Sequence, residues 1–109
     1  MFARITILQL QPGKLDEFIR VFQDSVAPAA VAQPGFGGIT LLTDPRLGKV
    51  LAVGLWETEA DLHAGETAYY QERLAGISNL LAGPPVREVY EVGIQVDLTP
   101  AGVAHIRGI

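Results

Sequence analysis

The residues that could take part in acid–base chemistry are few. His63 offers an imidazole that can act as a base or as a hydrogen-bond donor near neutral pH. Tyr69 precedes Arg73 by four residues, about one turn, on a predicted helix. Its phenol could point to a pocket or to solvent. We therefore take His63 and Tyr69 as candidate catalytic residues, with an exposed surface histidine as the competing interpretation of His63. Glu66 and Thr67 follow His63 at i+3 and i+4, so the three side chains could supply at most part of the ligands of a metal site. We therefore predict that no metal is bound.

Four further residues are candidates for binding a substrate, namely Trp56, Thr6, Arg4 and Thr40. Trp56 ends a predicted strand just before a helix cap, where its ring could cover an aromatic substrate or anchor the core. Arg4 and Thr6 share one face of the first strand, and on a helix-facing side they could hydrogen-bond an ionised substrate oxygen. If that face instead meets a second subunit, Arg4 pairs with Glu88 or Glu91, which is the interpretation we favour.

The composition excludes several classes of protein. The chain has 12 acidic and 8 basic residues, a formal net charge of −4 and no cysteine. Its basic residues are too few and too scattered for a surface that binds nucleic acid or anionic membrane. Disulfides and thiolate nucleophiles are absent, the serines Ser25 and Ser78 stand outside any nucleophile-elbow motif, and no glycine-rich phosphate loop opens a helix. We therefore expect neither a hydrolase nor a nucleotide-dependent enzyme.

The sequence predicts no targeting signal and no membrane-spanning helix. Polar residues interrupt the apolar N-terminal stretch that a secretory signal would keep continuous. The longest charge-free stretch, 25–43, contains Pro28 and Pro34 and cannot form a spanning helix. We expect a cytoplasmic protein with no nucleic-acid partner and no membrane partner.

Hydrophobic periodicity predicts four strands and two helices. The predicted strands are 3–10, 36–43, 49–57 and 86–96. The first helix is expected to end or kink just before Pro28, because proline lacks the backbone donor. Thr58 is expected to cap the second helix, which Gly65 is expected to divide. The Gly37-Gly38 pair predicts a bulge or a close backbone approach in the second strand.

The order of these elements, β-α-β-β-α-β, is that of an α+β ferredoxin-like sandwich with both helices on one face of an antiparallel sheet. The third and fourth strands show little polar alternation, so the other sheet face also needs a cover. A second copy of the chain is the simplest cover, and we expect a homodimer. In this interpretation 1–96 form a single domain, and 97–109 form a C-terminal arm that packs on the partner subunit.

Three segments are similar to those of one known family. They read LQPGKLDEF at 10–18, QPGF at 33–36 and LWETEADL at 55–62. Each is short, but they occur in the right order on the right predicted elements. Over about residues 3–95 the chain thereby resembles the antibiotic biosynthesis monooxygenase-like (ABM) family of dimeric α+β barrels.

The resemblance implies two sheets packed back to back in a dimer, with a pocket between sheet and helices in each subunit. For some members it implies cofactor-independent oxidation of phenols or quinols by O₂, and for others haem degradation. Haem-degrading relatives carry an asparagine where Thr6 stands here and a histidine in the helix region that here reads LAG at 74–76. Many pocket-bearing relatives carry a histidine where Gly65 stands, whereas here His63 lies two positions earlier. We therefore expect no cofactor and no tight binding of haem.

Two functions remain open. A cofactor-independent monooxygenase would bind a small phenol or quinol in a dry pocket, favour its ionised form and hold it beside O₂. A non-catalytic dimeric module of the same fold would bind a small ligand, regulate, or fill its interior with side chains. A cavity with two or more convergent polar groups would favour the enzyme, and a filled apolar interior would favour the module.

Overall fold

The structure is a computed structural model that describes residues 1–108, with the side chains of 66–74 outside the described part. The strands are β1 Phe2–Gln9, β2 Phe36–Asp44, β3 Lys49–Trp56, β4 Val86–Glu91, β5 Ile94–Leu98 and β6 Ala104–Gly108. The helices are α1 Leu15–Val21, α2 Ala27–Val31 and α3 Glu59–Ile77, with a π-helical turn at Phe22–Val26 and a 3₁₀ turn at Ser78–Leu80.

Strands β1 to β4 form one antiparallel sheet in the order β2-β3-β1-β4. This is the strand order of the ferredoxin-like sandwich, with β1 and β3 at its centre. Leu8 and Val50 of the central strands pack in one core cluster with Phe18 of α1 and Ile77 of α3. The predicted α+β fold, with both helices on one face of the sheet, is therefore confirmed.

The β2–β3 hairpin and the bulge in β2 follow from local residue chemistry. The Asp44 carboxylate accepts a hydrogen bond from the backbone N–H of Arg46 at 3.1 Å, and Gly48 takes a φ of +65° to close the turn. The register of β2 against β3 shifts between residues 36 and 38, which confirms the irregularity predicted for Gly37 and Gly38.

Helix α3 begins as predicted but does not break where predicted. The Thr58 hydroxyl accepts a hydrogen bond from the backbone N–H of Asp61 at 3.1 Å, which caps the helix. The prediction that Gly65 divides the helix is wrong, because α3 continues through it as one segment of 19 residues. Glycine inside a helix costs only about 1 kcal/mol relative to alanine, and fully buried Leu62 holds this part of α3 on the core.

The prediction of one long last strand over 86–96 is also wrong. Strand β4 ends at Glu91, and after Gly93 the chain enters β5, which pairs with β6 in a separate two-stranded sheet. No regular element was predicted for 97–109, where Pro100 and Gly102 argue only against a continuous helix. These residues instead form the turn of the β5–β6 hairpin, where Gly102 has a φ of +80°.

The face of the sheet that points away from the helices, here called the outer face, is apolar and partly exposed. Its central residues are Ile5, Ile7, Leu51, Val53 and Leu55. Leu42 at the β2 edge is 51% exposed and Tyr90 at the β4 edge is 50% exposed. The Tyr90 hydroxyl donates a 2.6 Å hydrogen bond to Oε1 of Glu88. That hydrogen bond and the charge of the Glu88 carboxylate raise the pKa of the Tyr90 phenol.

Candidate functional site

A cavity of about 140 Å³ lies between the sheet and the helical segment 15–31. All four strands of the main sheet contribute residues to its wall, as do the two helical segments that cover them. The described polar residues that line it are Arg4, Thr6, Gln33, Trp56 and Arg87. An apolar wall with a few convergent polar groups is the usual form of a small-molecule site.

The cavity exists because β3 carries small residues at the middle of its helix-facing side. Ala52 lies opposite Thr6, and Gly54 lies opposite Arg4, in the pairing of β3 with β1. Paired residues of an antiparallel sheet point to the same face, so these four residues form one patch beneath the helices. The two positions with little or no side chain leave the space that Arg4 and Thr6 border.

Trp56 is both a core anchor and a wall of the cavity. Its side chain is only 4% exposed, and its indole Nε1 donates a 3.1 Å hydrogen bond to Oε1 of Gln33. Phe36 meets the indole edge to face, with 5.8 Å between ring centres. A Cβ atom added at Gly54 would lie 2.8 Å from Cη2 and Cζ3 of the indole. The position of the ring therefore requires glycine at residue 54.

Arg4 lies on the helix-facing side of β1. Its Nη2 donates a 2.7 Å hydrogen bond to the carbonyl oxygen of Leu62 in α3, and its Cζ lies 4.9 Å from the centre of the Trp56 ring. The expectation that Arg4 faces a partner subunit, and with it the expected pair with Glu88, is wrong. The register of β1 turns Arg4 inward beside the small residues of β3, and Glu88 lies on the outer face.

Arg87 of β4 is a second guanidinium group at the same wall, and the sequence analysis missed it. The pairing of β1 with β4 sets Arg87 directly opposite Thr6. Within the described part of the chain, Nε of Arg4 and Nε and Nη2 of Arg87 are buried and lack a hydrogen-bond acceptor. Both residues have further interactions within the chain. The alternation of β4 could have indicated that Arg87 points inward, but only with the β1–β4 register known.

Gln33 occupies the space beside Gly65, a second feature that the sequence analysis missed. Gly65 lines the cavity, and a Cβ atom there would collide with the side-chain amide of Gln33. The resemblance described above implies a histidine at the position of Gly65 in many pocket-bearing relatives. Here the side-chain amide of Gln33, from the segment after α2, lies beside this position. In the sequence analysis Gln33 was noted only as part of the QPGF segment that resembles the family.

The π-helical turn at Phe22–Val26 shapes the helical wall of the cavity. Pro28 has no N–H to donate to the carbonyl four residues before it, and the N–H of Ala27 bonds instead to the carbonyl of Phe22, five residues back. This irregularity confirms the predicted interruption near Pro28. Phe22 and Val26, one at each end of the turn, both line the cavity.

The remaining candidate residues do not line the cavity where the structure describes them. Thr40 is exposed on the outer face of β2. His63 is exposed on α3, where its Nε2 lies 3.5 Å from Oε1 of Glu59. The side chain of Tyr69 lies outside the described part of the chain. Catalytic roles for His63 and Tyr69 stay predictions.

Among the described residues, the polar groups that line the cavity are two guanidinium groups, an amide, a hydroxyl and an indole N–H. Such a set suits an anionic ligand or one that accepts hydrogen bonds. Among the described residues, no group of three or more His, Cys, Asp or Glu side chains is placed to hold a metal ion. The described residues also include no helix that is long and apolar enough to cross a membrane.

Comparison with known sequences identifies relatives of this chain. The model of the antibiotic biosynthesis monooxygenase family matches residues 1–73. The uncharacterised protein Rv2557 of Mycobacterium tuberculosis is 31% identical over 94 residues, which are 84% of this chain and 41% of that protein. The chain therefore spans less than half the length of the curated relatives that it matches.

Solved structures share the fold. A Caulobacter crescentus protein that bears the family's name has a TM-score of 0.71 at 26% identity, over 84% of this chain and 88% of its own. SnoaB, a cofactor-independent oxygenase from Streptomyces nogalater, has a TM-score of 0.71 at 16% identity, over 84% of this chain and 91% of its own. These solved structures share the fold, and the family match over two thirds of the sequence shows that the chain belongs to the antibiotic biosynthesis monooxygenase family.

Proposed function

We propose that this chain is a cofactor-independent monooxygenase that oxidises a small phenol or quinol with O₂ in the cavity beneath the helices. The observation that carries the proposal is the cavity itself, an apolar space bordered on one side by Arg4, Trp56 and Arg87. SnoaB, which has the same fold, is a cofactor-independent oxygenase. That likeness supports the reaction class.

Such a reaction needs every electron to come from the substrate. When a phenol with a free para position becomes a quinone, one oxygen atom of O₂ enters the ring. The other oxygen leaves as water with the two hydrogens that the phenol loses. The four electrons that reduce O₂ all come from the ring, so no external reductant is required. The phenolate gives up the first electron more readily than the phenol, and the site must therefore favour the ionised form.

The residues of the cavity fit that requirement. Positive charge on Arg4 and Arg87 would stabilise a phenolate oxygen at the β1–β4 wall, with the Thr6 hydroxyl as a further donor. The Trp56 ring would pack against the aromatic substrate. The apolar walls would exclude water, which strengthens these electrostatic interactions. His63 and Tyr69 remain proposed proton acceptors.

Oxygen consumption with a panel of phenols and quinols tests this proposal. The purified protein should consume O₂ faster than the buffer does, and a chelator should not abolish the rate. Ala52→Leu, which fills the floor of the cavity, should reduce the rate at least tenfold, whereas Thr40→Val on the outer face should leave it unchanged. If ligands bind but no member of the panel is oxidised, the chain is the non-catalytic module instead.

The working unit in this proposal is a homodimer. Two surfaces would form its interface, the apolar outer face of the sheet and one face of the β5–β6 hairpin. On the hairpin, Val96 pairs with Ile106, and both side chains are more than half exposed. Obligate dimers commonly bury such surfaces, which resemble a core cut in half.

The hairpin is the C-terminal arm of this dimer, and we place its start at Ile94 rather than residue 97. Arg107 holds the arm near the body of its own subunit through a 3.2 Å ion pair with Glu57. Because that pair lies at the surface, it contributes little stability and leaves the arm's apolar face available to a partner.

A further inference from the structure

The side-chain amide of Gln33 lies where three parts of the cavity wall meet. Its Oε1 accepts a 3.1 Å hydrogen bond from the indole Nε1 of Trp56, at the end of β3. The same oxygen packs against Gly65 of α3, where it would collide with an added Cβ atom. All three residues line the cavity. The amide therefore joins the sheet, α3 and the segment after α2 at one place in the wall.

The chemistry of the indole fixes which way this amide is turned. An indole N–H can only donate a hydrogen bond, so the amide atom that it meets is the oxygen. An exchange of Oε1 and Nε2 would place two donors against each other and lose the bond. With Oε1 directed to Trp56, the two N–H bonds of Nε2 are left for another acceptor.

That acceptor is not found in the part of the chain that the structure describes. There the Gln33 side chain makes one hydrogen bond, the one that Oε1 accepts from Trp56. The residue is half-buried, and its Nε2 is not among the polar atoms that are fully enclosed without a partner. A partly buried donor gains free energy when it meets an acceptor. The amide N–H is therefore a donor that a bound ligand could use.

The neighbouring polar group cannot take this role. The indole N–H of Trp56 is already bonded to Gln33, so Trp56 offers a ligand only the surface of its ring. An amide N–H is a neutral donor, and a carbonyl oxygen is its usual neutral acceptor. Burial of a neutral acceptor beside an apolar wall costs much less than burial of an ion.

The size of the cavity limits the rest of the ligand. A cavity of about 150 Å³ is enough to hold one benzene ring. The space here is about 140 Å³, which suits one ring with small substituents.

We infer that Gln33 is a specificity-determining residue of this cavity, and that its amide N–H binds a carbonyl oxygen on a one-ring phenol. This inference rests on the proposed function, because it narrows the substrate class of the same site. The contact joins two neutral groups and needs no charge from the wall. A carbonyl group meta to the hydroxyl leaves the para position free, as the proposed oxidation requires.

Two phenols of the same shape test the inference. In 3-isopropenylphenol a methylene group replaces the carbonyl oxygen of 3-hydroxyacetophenone, and both compounds have a free para position. Titration calorimetry at pH 7 gives the two dissociation constants, and the fluorescence of Trp56, the only tryptophan in the chain, reports entry into this cavity. The change in the ratio of these constants from wild type to variant measures the hydrogen bond, because the hydration of the free compounds cancels.

Variants of Gln33 separate its donor from its acceptor. Gln33→Glu keeps an oxygen for the Trp56 N–H but removes the donor, since the new carboxyl group is ionised at pH 7. The ratio should change at least about fivefold against the ketone. Gln33→Met removes the donor without adding charge and should change the ratio in the same direction. It should also shift the emission of Trp56, whose N–H loses its acceptor.

Gln23→Glu is the matched control for the added charge. Gln23 is exposed on the π-helical turn and does not line the cavity, so this variant should keep the wild-type ratio. Thermal unfolding shows which variants remain folded. An unchanged ratio in either folded Gln33 variant, or no binding of either compound to the wild type, would overturn the inference.

The oxygen assay separates this inference from the proposed function. Binding of the ketone that depends on Gln33, without O₂ consumption by any phenol or quinol, would refute the monooxygenase and leave the role of Gln33 standing. Oxidation of phenols with a ratio that ignores Gln33 would do the reverse.

Discussion

Trp56 keeps its place because Gly54, two residues earlier on the same face of β3, has no side chain. The indole lies so close to the backbone of Gly54 that even a methyl group would meet its ring. The indole N–H of the same ring donates a hydrogen bond to Gln33, and the ring lies beside the guanidinium of Arg4. Gly54 therefore determines where the Trp56 ring lies. Through that ring it also affects the positions of Gln33 and Arg4, which border the cavity as well.

We predict that Gly54→Ala displaces the Trp56 ring. The substitution should destabilise the protein by about 1–3 kcal/mol, the usual cost of overpacking a core. It should also shift the emission of Trp56, since the indole would lose its present packing. Thermal unfolding and fluorescence spectra measure the two effects.

Gly37→Ala is the matched control for that variant. Gly37 is also a strand glycine, but its added Cβ would make only ordinary contacts, the nearest at 3.5 Å. The control should unfold near the wild-type temperature with unchanged emission. If the two variants behave alike, Gly54 does not fix the ring.

At the scale of elements, α3 contains two glycines in opposite settings. Gly65 faces the cavity, and an added Cβ would collide with the Gln33 amide. Gly76 lies near the exposed end of the same helix, and an added Cβ would meet no atom within 4 Å. The first glycine serves packing between segments, whereas the second has no such role.

We therefore expect alanine to have opposite effects at these two positions. Gly76→Ala should stabilise the protein by up to about 0.5–1 kcal/mol through helix propensity. Gly65→Ala should destabilise it by about 1–3 kcal/mol. Adding Gln33→Ala should recover part of that loss, because it removes the atoms with which the new Cβ collides. Denaturant unfolding measures these changes in Gly76→Ala, Gly65→Ala, Gln33→Ala and the double variant that combines the last two. Additive effects of Gly65→Ala and Gln33→Ala on the free energy of unfolding would contradict the proposed contact.

Periodicity predicted most of the elements, but it missed the continuity of α3 through Gly65 and the pairing of β5 with β6. Alternation and helical spacing located β1, β2, β3 and both helical segments to within a few residues. Gly65 looked like a break because its neighbour in space, Gln33, lies 32 positions away in the sequence. Pro100 and Gly102 argue against a continuous helix but do not by themselves show that the strands on either side pair, because turn residues of this kind occur in hairpins and in irregular segments alike.

Part of the candidate site could be predicted from the sequence. The rest could not, because it depends on how strands that are distant in the sequence pair with each other. Trp56, Arg4 and Thr6 could be named because they lie on strongly patterned strands, and all three line the cavity. Arg87 was missed because its role depends on the register of β4 against β1. A one-residue slip in that register would turn it to the outer face.

At the scale of the whole molecule, the β5–β6 hairpin has two chemically different faces. One face carries Ile94, Val96, Leu98, Ala104 and Ile106, and the other carries Gln95, Asp97, His105 and Arg107. The four large apolar side chains are 54–71% exposed in the single chain. A two-stranded hairpin is only marginally stable in water, so this apolar face is expected to pack on a second subunit.

We predict that replacing Val96 and Ile106 together by serine weakens the dimer. Loss of two buried aliphatic side chains from an interface should raise the dissociation constant at least tenfold. Sedimentation velocity across a dilution series measures the change. The matched control replaces Gln95 and His105, on the opposite face, by serine and should leave the dimer intact. A wild-type chain that sediments mainly as an 11.7 kDa species at low micromolar concentration would refute the dimer itself.

Labelling with ¹⁸O₂ tests most directly whether the cavity supports oxidation without a cofactor. Chelator-treated protein would be supplied with a phenol or quinol under ¹⁸O₂, and the product would be examined by mass spectrometry. We predict one ¹⁸O atom in each product molecule, the second in water, and strongly reduced product with Ala52→Leu. Product that lacks ¹⁸O, or that forms equally fast when the cavity is filled, would contradict a monooxygenase reaction at this site.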